Sequence, residues 1–126
     1  MTAAMERLGA HLDIDRGRAE GQAARKEIRE RAAKVIADPG TVDDVELMAA
    51  EAIANAVLHG TGTIRVTICT DGVRLRVEVR DQGPRDLDVH GRNRIDHGRG
   101  LAVIDALATE WGLDRSESET HLWFVV

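Results

Sequence analysis

Two periodicities divide this chain. From Arg18 to Ala37 apolar residues recur at helical spacing, with Ala24, Ile28, Ala32, Val35 and Ile36 on one stripe. Asp38-Pro39-Gly40 closes that segment, because proline cannot continue the hydrogen-bond ladder. A second helical pattern follows at once. Thr41 is placed to cap it, with Asp44 in the capping-box position, and it runs to about Leu58. Val45, Ala49, Ala52 and Ala56 suit its buried face. Glu51, Asn55 and His59 recur one turn apart and share a different stripe. Ahead of both helices, Gly9 to Ile14 carries Leu12 and Ile14 at strand spacing and reads as a short edge strand.

Beyond the second helix the period changes. Ile64, Val66 and Ile68 alternate with Arg65, Thr67 and Cys69, and Leu75, Val77 and Val79 alternate with Arg74, Arg76, Glu78 and Arg80. Asp71-Gly72 lies between the two runs and is a strong hairpin signal, since both residues tolerate positive φ. One face of this hairpin is apolar and the other charged, so the sheet is expected to be covered on one side. Arg85 to His97 shows no period and reads as a loop of about thirteen residues, a length associated with functional lids. Gly98-Arg99-Gly100 then opens a helix over Leu101 to Thr109, with Leu101, Ile104, Leu107 and Ala108 apolar. Gly112 to Ser116 and Thr120 to Val126 form a last hairpin around Glu117-Ser118-Glu119. The pattern predicts an α+β two-layer sandwich in a single domain over residues 1–126, with a mainly antiparallel, mixed sheet and helices on one face.

Composition narrows the function classes. Hydrophobic residues make up 43% of 126 residues, enough for one core, and aromatics only 2%, so Ala, Val, Leu and Ile must build it. The net charge of -5 argues against nucleic acid as the main partner, which needs a clustered cationic surface. Charge is uneven: Arg16 to Lys34 holds seven Lys or Arg, while Val42 to His59 holds four acids and no base. The basic run reads as a solvated helix face or, less simply, a docking face. Cys69 is the only cysteine, which excludes an intramolecular disulfide and fits a reducing compartment. No run approaches the apolar length that spans a bilayer, and no leader is visible, so a cytoplasmic protein is expected.

Three short motifs carry the candidate chemistry. In Glu51-Ala-Ile-Ala-Asn55 a carboxylate and a carboxamide stand one helical turn apart. A carboxamide oxygen is a good neutral Mg²⁺ ligand, and the carboxylate can deprotonate an attacking hydroxyl. Taken alone, the pair reads first as a polar stripe facing solvent. Asp81-Gln-Gly83-Pro84 puts an acid at a strand end, able to accept a hydrogen bond from an exocyclic amine, with Gly83 open to a planar base. Taken alone, it is a turn. Gly98-Arg99-Gly100 precedes a helix whose free N–H groups suit phosphate, or is a hinge and cap. No Walker A motif, Rossmann fingerprint or Ser-x-x-Lys is present, and the histidines at 11, 59, 90, 97 and 121 lack metal-ligand spacing.

With these motifs in this order, the chain resembles the GHKL ATPase superfamily of gyrase, Hsp90, histidine kinase and MutL. Closer still, it looks like the RsbW-type anti-sigma-factor serine kinases of actinobacteria. The matching stretches are Leu47 to Gly60, Val77 to Pro84, Gly98-Arg-Gly100-Leu101 through Trp111-Gly112, and the closing Thr120-His-Leu-Trp123-Phe124. The resemblance implies a Bergerat ATP-binding fold. It implies Mg²⁺ held by Asn55, adenine read by Asp81 with Gly83, and a lid over Pro84 to His97 that closes on phosphates. Gly98, Arg99, Gly100 and Leu101 would border those phosphates, and Thr120 would lie near adenine. Glu51 would be the base that phosphorylates a serine on a small STAS-domain antagonist, with a sigma factor as the other partner and a homodimer as the assembly. Arg85 and His97 stand where many relatives carry glycines, and both fall on the lid. The alternatives are a non-catalytic module that binds nucleotide and sequesters a protein, and the catalytic part of a two-component sensor. The latter is disfavoured because no phospho-acceptor helix precedes the site.

Overall fold

The computed structural model describes residues 4–15, 18–83 and 99–126. In chain order the elements are β1 (Glu6–Arg7), β2 (Leu12–Ile14), α1 (Arg18–Val35), α2 (Pro39–His59), β3 (Ile64–Thr70), β4 (Leu75–Asp81), α3 (Arg99–Leu107), β5 (Glu110–Arg115) and β6 (Thr120–Val125). The six strands form one sheet in the order β1-β3-β4-β6-β5, with β2 also paired to β3. Every strand pair among the described residues is antiparallel. The α+β class with a mainly antiparallel sheet and three helices is therefore the architecture found.

Alternation in the strands becomes the two faces of the sheet. Ile64, Val66 and Ile68 on β3, Leu75, Val77 and Val79 on β4, and Leu122 and Phe124 on β6 all point inward and are buried. The register stacks them in rows: Val66 opposite Val79 opposite Leu122, and Ile68 opposite Val77 opposite Phe124. Against this floor lies α2, which also packs on α1 and α3. Small residues at Ala49, Ala52 and Ala56 suit a close approach of the helix to the sheet, and Val45 and Met48 on the same helix are fully buried.

The other sheet face carries Arg65, Arg76, Glu78, Arg80, His121 and Trp123. Its charges pair among themselves. His121 Nε2 and Glu78 Oε1 share a hydrogen bond of 2.6 Å. Burial pushes the Glu78 pKa up, yet His121 and Arg76 hold it below the usual carboxylate range. The Arg76 guanidinium lies 4.5 Å from the Trp123 ring centroid. Gly112 leaves room for that indole, since a Cβ there would lie 2.6 Å from Cζ2.

Several expectations change in detail. The expected strand over Gly9 to Ile14 is shortened to Leu12–Ile14, and a further short strand, Glu6–Arg7, precedes it, with Gly9 at φ +82° between the two. Thr41 does not cap α2. Asp38 does, with φ −77° and ψ 117°, accepting from the Thr41 backbone N–H at 2.9 Å and from its hydroxyl at 2.7 Å. Pro39 is thus the first residue of α2 rather than a stop, a position where its missing N–H costs nothing. α3 spans Arg99–Leu107, and Leu107 is 36% exposed while Leu101 and Ile104 are buried. The basic run on α1 is partly answered internally: Arg29 Nη1 reaches Asp43 Oδ1 at 2.6 Å and Glu46 Oε1 at 2.9 Å on α2.

Candidate functional site

Three buried polar side chains meet where α2 crosses the ends of β4 and β6. Asn55 is 7% exposed, Asp81 6% and Thr120 5%, and these are the buried polar residues of the described core. The register explains two of them. Asp81 ends β4 directly opposite Thr120, which begins β6, so both continue the inward rows after apolar residues have run out. Asn55 comes from above, on the turn of α2 between Ala52 and Ala56. Together with Ala52, Ala56, Val79, Leu113 and Leu122 they line a narrow cleft with about 10 Å³ of free space.

Burying polar groups without partners is costly, so unpaired atoms at such a place point to a ligand. The Asn55 side-chain nitrogen and the Thr120 hydroxyl are both buried and find no hydrogen-bond partner among the described residues. Both line the same cleft. The Asp81 carboxylate is firmly placed: its Oδ1 accepts from the Gly83 backbone N–H at 2.8 Å. The cleft therefore offers an apolar lining that also carries a buried carboxyl, a carboxamide and a hydroxyl. That combination suits a planar heterocycle with an exocyclic amine.

The remaining residues singled out in the sequence take other places. Glu51 sits one turn before Asn55, half-buried, outside the lining of the cleft, with no hydrogen bond or ion pair to the described residues. Gly83 has φ +107°, and its α-carbon faces the β5–β6 turn, where a Cβ would lie 2.5 Å from the Glu117 carbonyl oxygen. Leu101 is a buried core residue of α3, and Arg99 and Gly100 begin that helix. Gly98, Arg85, His97 and the rest of the expected lid lie outside the described residues. Among the described residues no group of His, Cys, Asp or Glu is arranged to hold a metal by itself. Cys69 is free and half-buried on the outer sheet face, where burial raises its pKa above the ordinary thiol value.

Motifs alone miss the apolar lining, Gly60 and Thr61. Leu113, Leu122 and Val79 carry no sequence signal beyond alternation. Gly60 ends the first matching stretch, where spacing gives it no role.

The same architecture recurs in solved structures. Over 93% of this chain it superposes on the structure of the RsbU and RsbW domains of Rv1364c from Mycobacterium tuberculosis, with TM-score 0.69 and 24% identity. This chain spans 32% of that protein's length. The SiaB–SiaC complex from Pseudomonas aeruginosa matches 93% of this chain and 88% of its own, with TM-score 0.67 and 17% identity. These likenesses define the fold. No curated protein shows significant similarity to the chain. Residues 18–126 match the family of histidine kinase-like ATPase domains, and the chain belongs to that family. This is the superfamily that the three motifs resemble, and no helix of the described residues is long and apolar enough to cross a membrane.

Proposed function

We propose that this protein binds ATP with Mg²⁺ and phosphorylates a serine of a protein partner, acting as an anti-sigma factor whose antagonist is of the STAS type. The observation that carries the nucleotide part is the cleft itself: two buried, unpartnered polar atoms, on Asn55 and Thr120, flank the fixed Asp81 carboxylate in an ATPase-family fold. Adenine would enter between α2 and the sheet, donating its exocyclic amine to Asp81 and meeting Thr120 at the edge. Asn55 would hold Mg²⁺ through its amide oxygen, and the ion would supply positive charge to the phosphates. Gly98, Arg99 and Gly100 would present N–H groups and charge to those phosphates at the start of α3.

Glu51 fits the role of base. It is on the same helix as Asn55, is not consumed by an ion pair with the described residues, and does not line the adenine cleft. It would take the proton of the serine hydroxyl as that oxygen attacks the γ-phosphorus and the bond to the β–γ bridging oxygen breaks, leaving ADP. The SiaB–SiaC complex supports a reading in which this fold works by engaging a second protein. A homodimer and a cytoplasmic setting belong to the same proposal.

Radiolabel transfer from γ-labelled ATP to STAS-domain proteins of the native cell tests it. Label on a serine of one of them, absent with Glu51→Ala, is the expected result. A protein that binds such a partner yet transfers nothing is instead a sequestering module.

A further inference from the structure

Two residues outside the motif chemistry enclose Asp81 from behind. Gly60 is the C-cap of α2, its N–H bonded to the Ala56 carbonyl at 2.9 Å. Its backbone, at φ −98° and ψ −178°, is one that any residue adopts. Space is what demands glycine here. A Cβ at Gly60 would run into the Asp81 carboxylate, lying 2.7 Å from Oδ1 and closer still to Oδ2 and Cγ. That carboxylate is 6% exposed and tied to the Gly83 N–H, so it has little room to retreat. Thr61 binds the same turn at two points. Its carbonyl accepts from the Gln82 N–H at 2.9 Å, and its hydroxyl donates to the Gly83 carbonyl at 3.1 Å. The residues that leave α2 and the residues that leave β4 thus form one interlocked unit, Gly60-Thr61 against Asp81-Gln82-Gly83.

We propose that Gly60 and Thr61 are positioning residues for base recognition: they hold the Asp81 carboxylate at the one depth from which it accepts an amine from the ring in the cleft. This rests on the nucleotide reading above. The consequence is selectivity as well as affinity. A fixed carboxylate favours adenine, which offers an amine, and repels guanine, which offers a carbonyl oxygen at the same ring position. Moving the carboxylate weakens the first contact and relieves the second repulsion. Because Asn55 and Glu51 are on the helix that Gly60 terminates, the unit also sets the distance between the base pocket and the groups proposed to handle phosphate.

The test is a double-mutant cycle read by calorimetry with ATP and GTP. The proteins are wild type, Gly60→Ala, Asp81→Ala and the double variant, with circular dichroism to confirm folding. Gly60→Ala is expected to bind ATP about ten- to a hundredfold more weakly, the scale of one charged hydrogen bond. It should also lose preference for ATP over GTP. In the Asp81→Ala background the same change should cost nothing further, because the carboxylate it displaces is gone. Thr61→Val and Thr61→Ser give a second arm that does not crowd the turn. Val should lower ATP affinity by about three- to tenfold, on the scale of one neutral hydrogen bond, and Ser should restore it. Gly60→Ala with wild-type ATP affinity, equal losses in both backgrounds, or indistinguishable Val and Ser variants would overturn the positioning role. If wild type binds ATP, Asp81→Ala does not, and Gly60→Ala is unaffected, that role alone falls. If folded wild type binds no adenine nucleotide, the reading of the cleft falls with it.

Discussion

At the scale of residues, the proposed site divides into side chains that would recognise nucleotide and a side chain that would react. Asp81 is buried and fixed by the Gly83 N–H, so its charge is directed rather than solvated. Asp81→Asn keeps an acceptor but loses the charge-assisted part of the bond. ATP affinity should fall by about 1–2 kcal/mol in calorimetry, and unchanged affinity would remove Asp81 from the pocket. Glu51 and Asn55 should separate cleanly. With Glu51→Ala, ATP binding stays near wild type while transfer to serine falls by about two to four orders of magnitude. With Asn55→Ala, binding of the Mg²⁺ nucleotide itself weakens. Single-turnover transfer beside calorimetry distinguishes the two, and a Glu51→Ala protein that transfers at the wild-type rate would cancel the base assignment. Asn55 and Asp81 are legible as candidate chemistry in the sequence, because a motif names residue types, and Thr120 only through the family resemblance. Gly60 is not, since its importance comes from what its missing Cβ would touch, and no spacing rule records that.

At the scale of elements, alternation and turn chemistry carry most of the information. The β3–β4 hairpin is readable because Val66, Ile68, Val77 and Val79 alternate cleanly and Asp71-Gly72 is a turn pair; Gly72 does take φ +94°. The turn also predicts behaviour in acid. Backbone N–H groups of Arg74 and Val73, with the Arg74 guanidinium, lower the Asp71 pKa from 3.8 to about 2. A depressed carboxylate contributes stability that is complete above its unfolded pKa and lost as pH falls through its folded one. Thermal midpoints should therefore drop between about pH 4 and pH 2, and Asp71→Ala should flatten that part of the curve; an unchanged slope would contradict it. The helix junction is less legible. Asp38-Pro39 reads as a stop because proline ends helices, yet proline at the first position starts them, and only the Asp38 side chain bonded to Thr41 decides between the two. β1 escapes a reading by period because two residues are too few to show one.

At the scale of the whole molecule, one apolar layer holds three helices to one sheet, and the cleft is the place where that layer ends in polar groups. Phe124, the single phenylalanine, is fully buried and lies in the row with Val77 and Ile68. Phe124→Ala should cost about 3–5 kcal/mol in denaturant unfolding, a large share of the stability of a domain this size. A loss under about 1 kcal/mol would mean that the sheet and helices do not share this core. The fold class is visible from the change of period at Ile64 and the one-sided hydrophobicity of the strands. The closing of α2 over β4 and β6, which makes the cleft, depends on small residues at Ala52 and Ala56 acting together with register, and emerges only in three dimensions. The central claim is that this cleft takes an adenine ring. Titration of ¹⁵N-labelled protein with ATP and Mg²⁺, followed by amide NMR, tests it most directly. The account predicts saturable shifts in the Asn55 side-chain amide and in the backbone of residues 60–62, 81–83 and 120–122. No shifts at millimolar ATP, or shifts confined to the outer sheet face around Arg76 and Trp123, would contradict it.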